Sequence, residues 1–108
     1  NPGGAEALNE YLQSLNCDVH CIIGMLTTKN HEEYISYFKN IKSITTIDIP
    51  NTPGAIDGKK LKEKFNAIPN VQYKESIEEA IKSISLNKND VVIITGSLYL
   101  ASEVLKIN

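Results

Sequence analysis

The residues best placed to do chemistry lie at Thr95-Gly96-Ser97, where a run of apolar, largely β-branched residues, Val91 to Ile94, meets a polar turn. A short continuous run of that kind predicts a strand covered on both faces of a parallel sheet. Gly96 can take backbone angles closed to other residues, so a sharp turn fits there. The residues that follow, through Leu105, read as an amphipathic helix, and Ser97 falls at its N-cap. A hydroxyl beside the unpaired N–H groups of a first helical turn, at the positive end of the helix dipole, suits a carboxylate or a phosphate. Ser is also an ordinary N-cap in any α/β domain, so the junction alone leaves both readings open.

The other reactive side chains read more plainly. Cys17 and Cys21 are four apart around the start of a strand, with neither a C-x-x-C motif nor zinc half-sites, and are expected to be reduced core thiols. His20 alternates with apolar neighbours on that strand and predicts a hydrogen-bonded sheet histidine; His31 opens a helix and predicts a solvated one. No Ser-His-Asp or Cys-His order points to hydrolase chemistry. No G-x-x-x-x-G-K-[ST] sequence is present either, so a phosphate-cradling P-loop is missing from these residues.

These groups must be positioned by one small domain of 108 residues, enough for a single core. Apolar residues at helical spacing from Gly4 to Leu15, including Ala5, Ala7, Leu8, Tyr11 and Leu12, predict a surface helix with one buried stripe. A strand over Val19 to Met25 follows, then a polar turn at Thr27 to Asn30, a helix over His31 to Ile41, and a strand over Ser43 to Ile49 that stops at Pro50. Asn51-Thr-Pro-Gly54 is turn chemistry and is expected as a mobile surface excursion. A helix over Asp57 to Ile68, a brief strand at Val71 to Tyr73, a capping box at Ser76 to Glu79 and a helix to about Leu86 lead to the final strand and helix. Strict alternation of this kind predicts an α/β fold: a doubly wound, mostly parallel sheet with right-handed crossovers and helices on both faces. Ligands meet such a sheet at the loops beyond the carboxyl ends of its strands. Three of these loops stand out by composition: Asn1 to Gly4, Met25 to Asn30, and Thr95 to Tyr99.

The net charge is −2, with Lys, Asp and Glu scattered along the chain, so there is no basic field for nucleic acid or an anionic membrane. The apolar runs fall far short of a membrane span, and a soluble, cytoplasmic protein is expected. The chain opens on Asn1-Pro-Gly-Gly4, a turn that ordinarily follows a strand; it is expected to be a fragment lacking its first strand.

Taken together and in order, the three loops resemble the C-terminal domain of the folylpolyglutamate synthase and dihydrofolate synthase family, within the Mur ligase superfamily. Asn1-Pro-Gly-Gly-Ala5 is similar to the tail of that family's Asp-Gly-Ala-His-Asn-Pro motif, whose Asp and His would lie upstream of residue 1. Gly24-Met-Leu26 is similar to the family's strand end, but Thr28-Lys29-Asn30 stands where many members have Asp-Lys-Asp. Gly96-Ser-Leu-Tyr-Leu-Ala101 with Glu103-Val-Leu105 resembles the last loop and its helix almost letter for letter.

The resemblance implies a Rossmann-like glutamate-ligase domain over residues 1–108. It implies part of a cytoplasmic, ATP-dependent enzyme that adds L-glutamate to dihydropteroate, to a folate polyglutamate, or to both, through an acyl phosphate. ATP and Mg2+ would be held mainly by the enzyme's own N-terminal P-loop domain, and the isolated fragment would be inactive. Ser97, Tyr99 and Asn1 would contact glutamate; Lys29 and Gly96 would lie near the nucleotide or acyl phosphate; no metal ligand and no catalytic residue would fall within these residues. The residues alone also fit a half-buried first-turn tyrosine at Tyr99 and a solvated loop lysine at Lys29. The full enzyme would be a monomer that binds neither nucleic acid nor membrane. The alternatives are a superfamily ligase acting on a peptidoglycan precursor, or a non-catalytic α/β binding module.

Overall fold

The computed structural model describes residues 7, 10, 11, 13, 14, 17–27, 30, 33, 36, 41–65, 70–96 and 103–106. At its centre is β1 (Val19–Gly24), buried along its whole length. Its side chains alternate between two layers. Cys21 and Ile23 join Ile44, Val91, Ile93, Leu61 and Phe65 in one cluster, and Ile22 joins Ile47, Val92, Ile94 and Ala80 in the other. Two covered faces require apolar residues at consecutive positions, which is why the strand sequences are continuous runs and not alternating ones.

β2 (Ile41–Ile47) and β4 (Val91–Gly96) flank β1, and both run parallel to it. β3 (Val71–Lys74) adds a parallel strand beyond β2, and β5 (Glu103–Lys106) pairs antiparallel with β4. The five-stranded order is β3-β2-β1-β4-β5. From β1 the chain walks outward to β3, then returns to lay β4 against the other side of β1. The fold is thus the expected α/β arrangement of a mostly parallel sheet with a helix on each face.

Two short helices supply those layers. α1 (Gly58–Glu63) is capped by Asp57, whose carboxylate accepts the Lys59 N–H at 2.8 Å, and it buries Leu61 with Phe65 just beyond its end. α2 (Ile77–Ser83) is capped by Ser76, whose hydroxyl accepts the Glu79 N–H at 3.2 Å, and it buries Ala80 on the opposite face. It ends at Ser83, earlier than the sequence predicts, because Ile84 turns to extended backbone; Ile84 and Leu86 still pack on the same cluster.

Three other expectations are corrected. Glu103-Val-Leu105, predicted as helix, belongs to strand β5, with Val104 opposite Ile93 and Leu105 opposite Val92. The open edge of β4 offers a row of unpaired N–H and C=O groups, and satisfying them outweighs a weak helical spacing that contains β-branched Val104. Ile41, predicted as a helix end, opens β2. Ala7 and Tyr11, assigned to the buried stripe of the first helix, lie in helical backbone but are exposed, Tyr11 at 47%. A tyrosine tolerates this because its hydroxyl can remain in water while the ring covers neighbouring surface.

Candidate functional site

Between β1 and β4 the direction of the chain's progress across the sheet reverses, and this is where an open α/β sheet parts its loops to leave a crevice. Gly24 and Gly96 face each other there, in register at the carboxyl ends of the two strands. Gly24 is required on packing grounds: a Cβ would fall 2.7 Å from Cγ1 of Ile49.

The segment following β1 is joined to the loop following β2. Ile56 N–H donates to the Met25 carbonyl at 2.9 Å, and Leu26 forms an antiparallel bridge with Ala55. The Thr27 N–H and the Thr27 hydroxyl both donate to the Gly54 carbonyl, each at 2.8 Å. Gly54 has φ +88°, a conformation that favours glycine. The loop around Asn51–Gly54, expected as a mobile excursion, is therefore stapled to the neighbouring strand tip, with Ile56 buried beneath it.

Lower on the same rim, Asp48 uses both carboxylate oxygens. One accepts the Gly58 N–H at 2.8 Å and the other accepts the Tyr73 hydroxyl. Thr46 completes the joint by donating to the Gly58 carbonyl at 2.7 Å. The bond to Asp48, followed by burial and nearby negative charge, pushes the Tyr73 phenol up to about 12. Gly58 admits no side chain, since a Cβ would meet the Tyr73 ring at 2.6 Å and the Ile47 carbonyl carbon at 2.8 Å.

The opposite rim holds a second polar group. His20 lies between Ser43 and Asp90, with Nδ1 2.8 Å from Ser43 Oγ and Nε2 3.3 Å from Asp90 Oδ2. A carboxylate can only accept, so in the neutral ring Nε2 carries the proton and Nδ1 accepts from the serine. The Asn87 N–H donates to Asp90 at 2.9 Å and holds its carboxyl below the usual range, with the bond from His20 adding to this against the effect of burial. Serine, histidine and aspartate thus do meet, although no such order was legible in the chain. They join the starts of β2, β1 and β4, away from the crevice, and His20 and Asp90 are both 4% exposed. This matches the expected hydrogen-bonded sheet histidine.

Of the residues singled out by sequence, Gly96 ends β4 beside Gly24, while Ser97, Tyr99, Asn1 and Lys29 fall outside the described residues. Asn30, next to Lys29, accepts the Glu33 N–H at 3.0 Å through its side chain, as an N-cap does. Cys17 and Cys21 are free thiols, and burial pushes Cys21 up to about 12. Asp48, Tyr73 and the Thr27–Gly54 staple were not anticipated. One signal was available for Asp48: a lone carboxylate between Ile47 and Ile49 at a strand end needs nearby donors.

A family model for the Mur ligase glutamate ligase domain matches residues 1–98. The chain belongs to this Mur ligase domain family. Two solved structures are similar to the Mur ligase domain described here. A bifunctional folylpolyglutamate synthase/dihydrofolate synthase from Yersinia pestis, complexed with AMPPNP and Mn ion, superposes with a TM-score of 0.73 at 20% identity, over 90% of this chain and 24% of that one. A folylpolyglutamate synthase from Thermotoga maritima superposes with a TM-score of 0.71 at 28% identity, over 94% of this chain and 24% of that one. The chain thus spans about a quarter of the length of either protein. No curated protein matches it. Among the described residues no helix is long and apolar enough to cross a membrane, and no three His, Cys, Asp or Glu side chains converge as metal ligands.

Proposed function

We propose that this domain is the glutamate-binding, closing half of a cytoplasmic, ATP-dependent ligase that adds L-glutamate to dihydropteroate, to a folate polyglutamate, or to both. The observation that carries this reading is the in-register pairing of Gly24 and Gly96 at the point where the strand order reverses, at the same strand tips whose sequences resemble the folate branch of the family. Similarity to two folylpolyglutamate synthases supports the choice of substrate.

ATP would supply the phosphoryl group that turns a poor acyl donor, the acceptor carboxylate, into an acyl phosphate, with release of ADP. Magnesium and the nucleotide phosphates are assigned to a preceding P-loop domain, and no step is routed through a metal on this one. The work left to these residues is positioning. Ser97, with Tyr99 and Asn1, holds a carboxylate of the incoming glutamate so that its amine faces the acyl carbon; amide formation then expels phosphate. Gly96 keeps the backbone close to the reacting groups, and Lys29 offers a charge to the departing phosphate. Closing the rim over the site excludes water that would hydrolyse the acyl phosphate.

The test is steady-state kinetics on the full-length enzyme. Ser97→Ala is expected to raise KM for glutamate on the order of tenfold, the scale of losing a hydrogen bond to a charged group, with KM for ATP unchanged. Equal loss for both substrates would return Ser97 to a purely structural N-cap.

A further inference from the structure

One apolar side chain stands where the strand order reverses without belonging to the core. Ile49, two residues beyond the end of β2, is half-buried and is in neither of the clusters that take up Ile44 and Ile47 of the same segment. Side chains alternate along an extended chain, so Ile49 returns to the face of Ile47 and Gly24 to the face of Ile22, which is the α2 side of the sheet. There Cγ1 and Cδ1 of Ile49 fill the space that a Gly24 side chain would take, 2.7 and 3.1 Å from its would-be Cβ. Gly96 lies beside Gly24 in register and likewise carries no side chain. Neighbouring strands are about 4.8 Å apart, so the end of Ile49 is one strand's width from the backbone at Gly96. The side chain is also held. Pro50 confines the residue before it to extended backbone, and a β-branched side chain has few χ1 choices. On one side of it Asp48 is bonded to Gly58 and Tyr73, and on the other the loop is stapled to the tip of β1 through Gly54 and Ile56. One half-exposed isoleucine is ordinary on a protein surface. One laid against the backbone of a ligand-binding strand tip, with little conformational entropy left to lose on binding, is a contact surface for a ligand's carbon atoms.

We propose that Ile49 is a specificity-determining residue: it packs against the side-chain methylenes of the incoming amino acid and sets the length that the site accepts. The inference rests on the ligase reading above, in which Ser97, the residue after Gly96, holds a carboxylate of glutamate. An amino acid fixed at that point lies across the paired glycines, and the side chain closest to Gly24 on the α2 face is that of Ile49. Glutamate brings two methylenes to this wall. Aspartate, one methylene shorter, leaves part of the wall uncovered, and 2-aminoadipate, one longer, runs into it. A methylene gained or lost against a fitted apolar wall changes kcat/KM on the order of tenfold or more.

The test is kcat/KM of the full-length enzyme for L-glutamate, L-aspartate and L-2-aminoadipate, in the parent, in Ile49→Ala and in Ile49→Leu. In Ile49→Ala the value for glutamate is expected to fall on the order of tenfold and the value for 2-aminoadipate to rise, so that the preference between them narrows by at least as much. Aspartate, which does not reach the whole wall, should change least. Ile49→Leu keeps the number of carbons and should keep the parent's order of preference. KM for ATP and for the pteroyl acceptor should stay as in the parent, which also shows that the variants are folded. A second readout is the δ1-methyl signal of Ile49 in 13C-labelled enzyme, identified by its absence from Ile49→Leu. It should shift when glutamate is added to enzyme loaded with acceptor and AMPPNP. An equal loss for all three amino acids overturns the proposal. So does a raised KM for ATP with amino-acid preferences unchanged, since Ile49 would then face the nucleotide. A parent that joins none of the three to a pteroyl acceptor overturns the ligase reading itself, and the role of Ile49 with it.

Discussion

The two rims of the sheet use similar residues to opposite ends. At the amino rim, His20, Ser43 and Asp90 satisfy one another inside the fold, and the Asn87 N–H occupies the carboxylate further. At the carboxyl rim, Asp48, Tyr73 and Gly58 also form a closed set, but the set ties the end of β2 to β3 and to the start of α1, on the same rim as the paired glycines Gly24 and Gly96. A histidine flanked by serine and aspartate looks more like an active site than a glycine pair does. In a parallel α/β sheet, position decides: loops part at the carboxyl ends of the strands, whereas the amino ends hold the strand starts together.

The comparison breaks first at His20. Replacing it with Ala should destabilise the fold by about 2–4 kcal/mol, from lost buried volume and two unpaired partners, seen as a lower denaturant midpoint. If the amino rim is a brace, KM for glutamate in the full-length enzyme should stay constant. Gly58→Ala should cost less, about 1–3 kcal/mol, because the new methyl must displace an anchored ring and a backbone carbon. Unlike the first variant, it should also bring the Tyr73 phenol back toward its ordinary value, since the displaced ring loses its bond to Asp48.

The smallest effect is on titration. Tyr73 is raised from 10.0 to about 12 in the folded state, so its contribution to stability is fully present below pH 10 and is lost as pH rises through about 12. Asp48→Asn should bring the phenol back toward its ordinary value, read from tyrosinate absorbance against a Tyr73→Phe reference. A phenol that still titrates near 12 without the Asp48 carboxylate would show that burial and the charges of Glu75 and Asp57 set it.

The central strands were legible because burial on both faces leaves an unbroken apolar signature, as in Val91 to Ile94 and Val19 to Met25. Caps were legible too: Ser76 carries its hydroxyl to Glu79 as the capping box predicts. The edges were harder to read. Glu103–Lys106 carries a helical spacing, yet its conformation is decided by the partner strand beside it, which no local pattern reports. Asn51–Gly54 has the composition of a free turn, and what ties it down is a pair of bonds from Thr27, far away in sequence. The site divides in the same way. Gly96 could be found from a strand-to-turn junction, whereas Asp48 and Tyr73 belong together only because β2 and β3 run side by side.

The double bond from Thr27 to the Gly54 carbonyl has a mechanical consequence. With Met25 gripping Ile56 below it, the tips of β1 and β2 form a single jaw and not two independent fingers. A swing that brings the first tip onto a substrate must drag the second along, and with it the joint of Asp48, Gly58 and Tyr73. Amide protons on both segments should accordingly gain protection from exchange in concert when a ligand arrives.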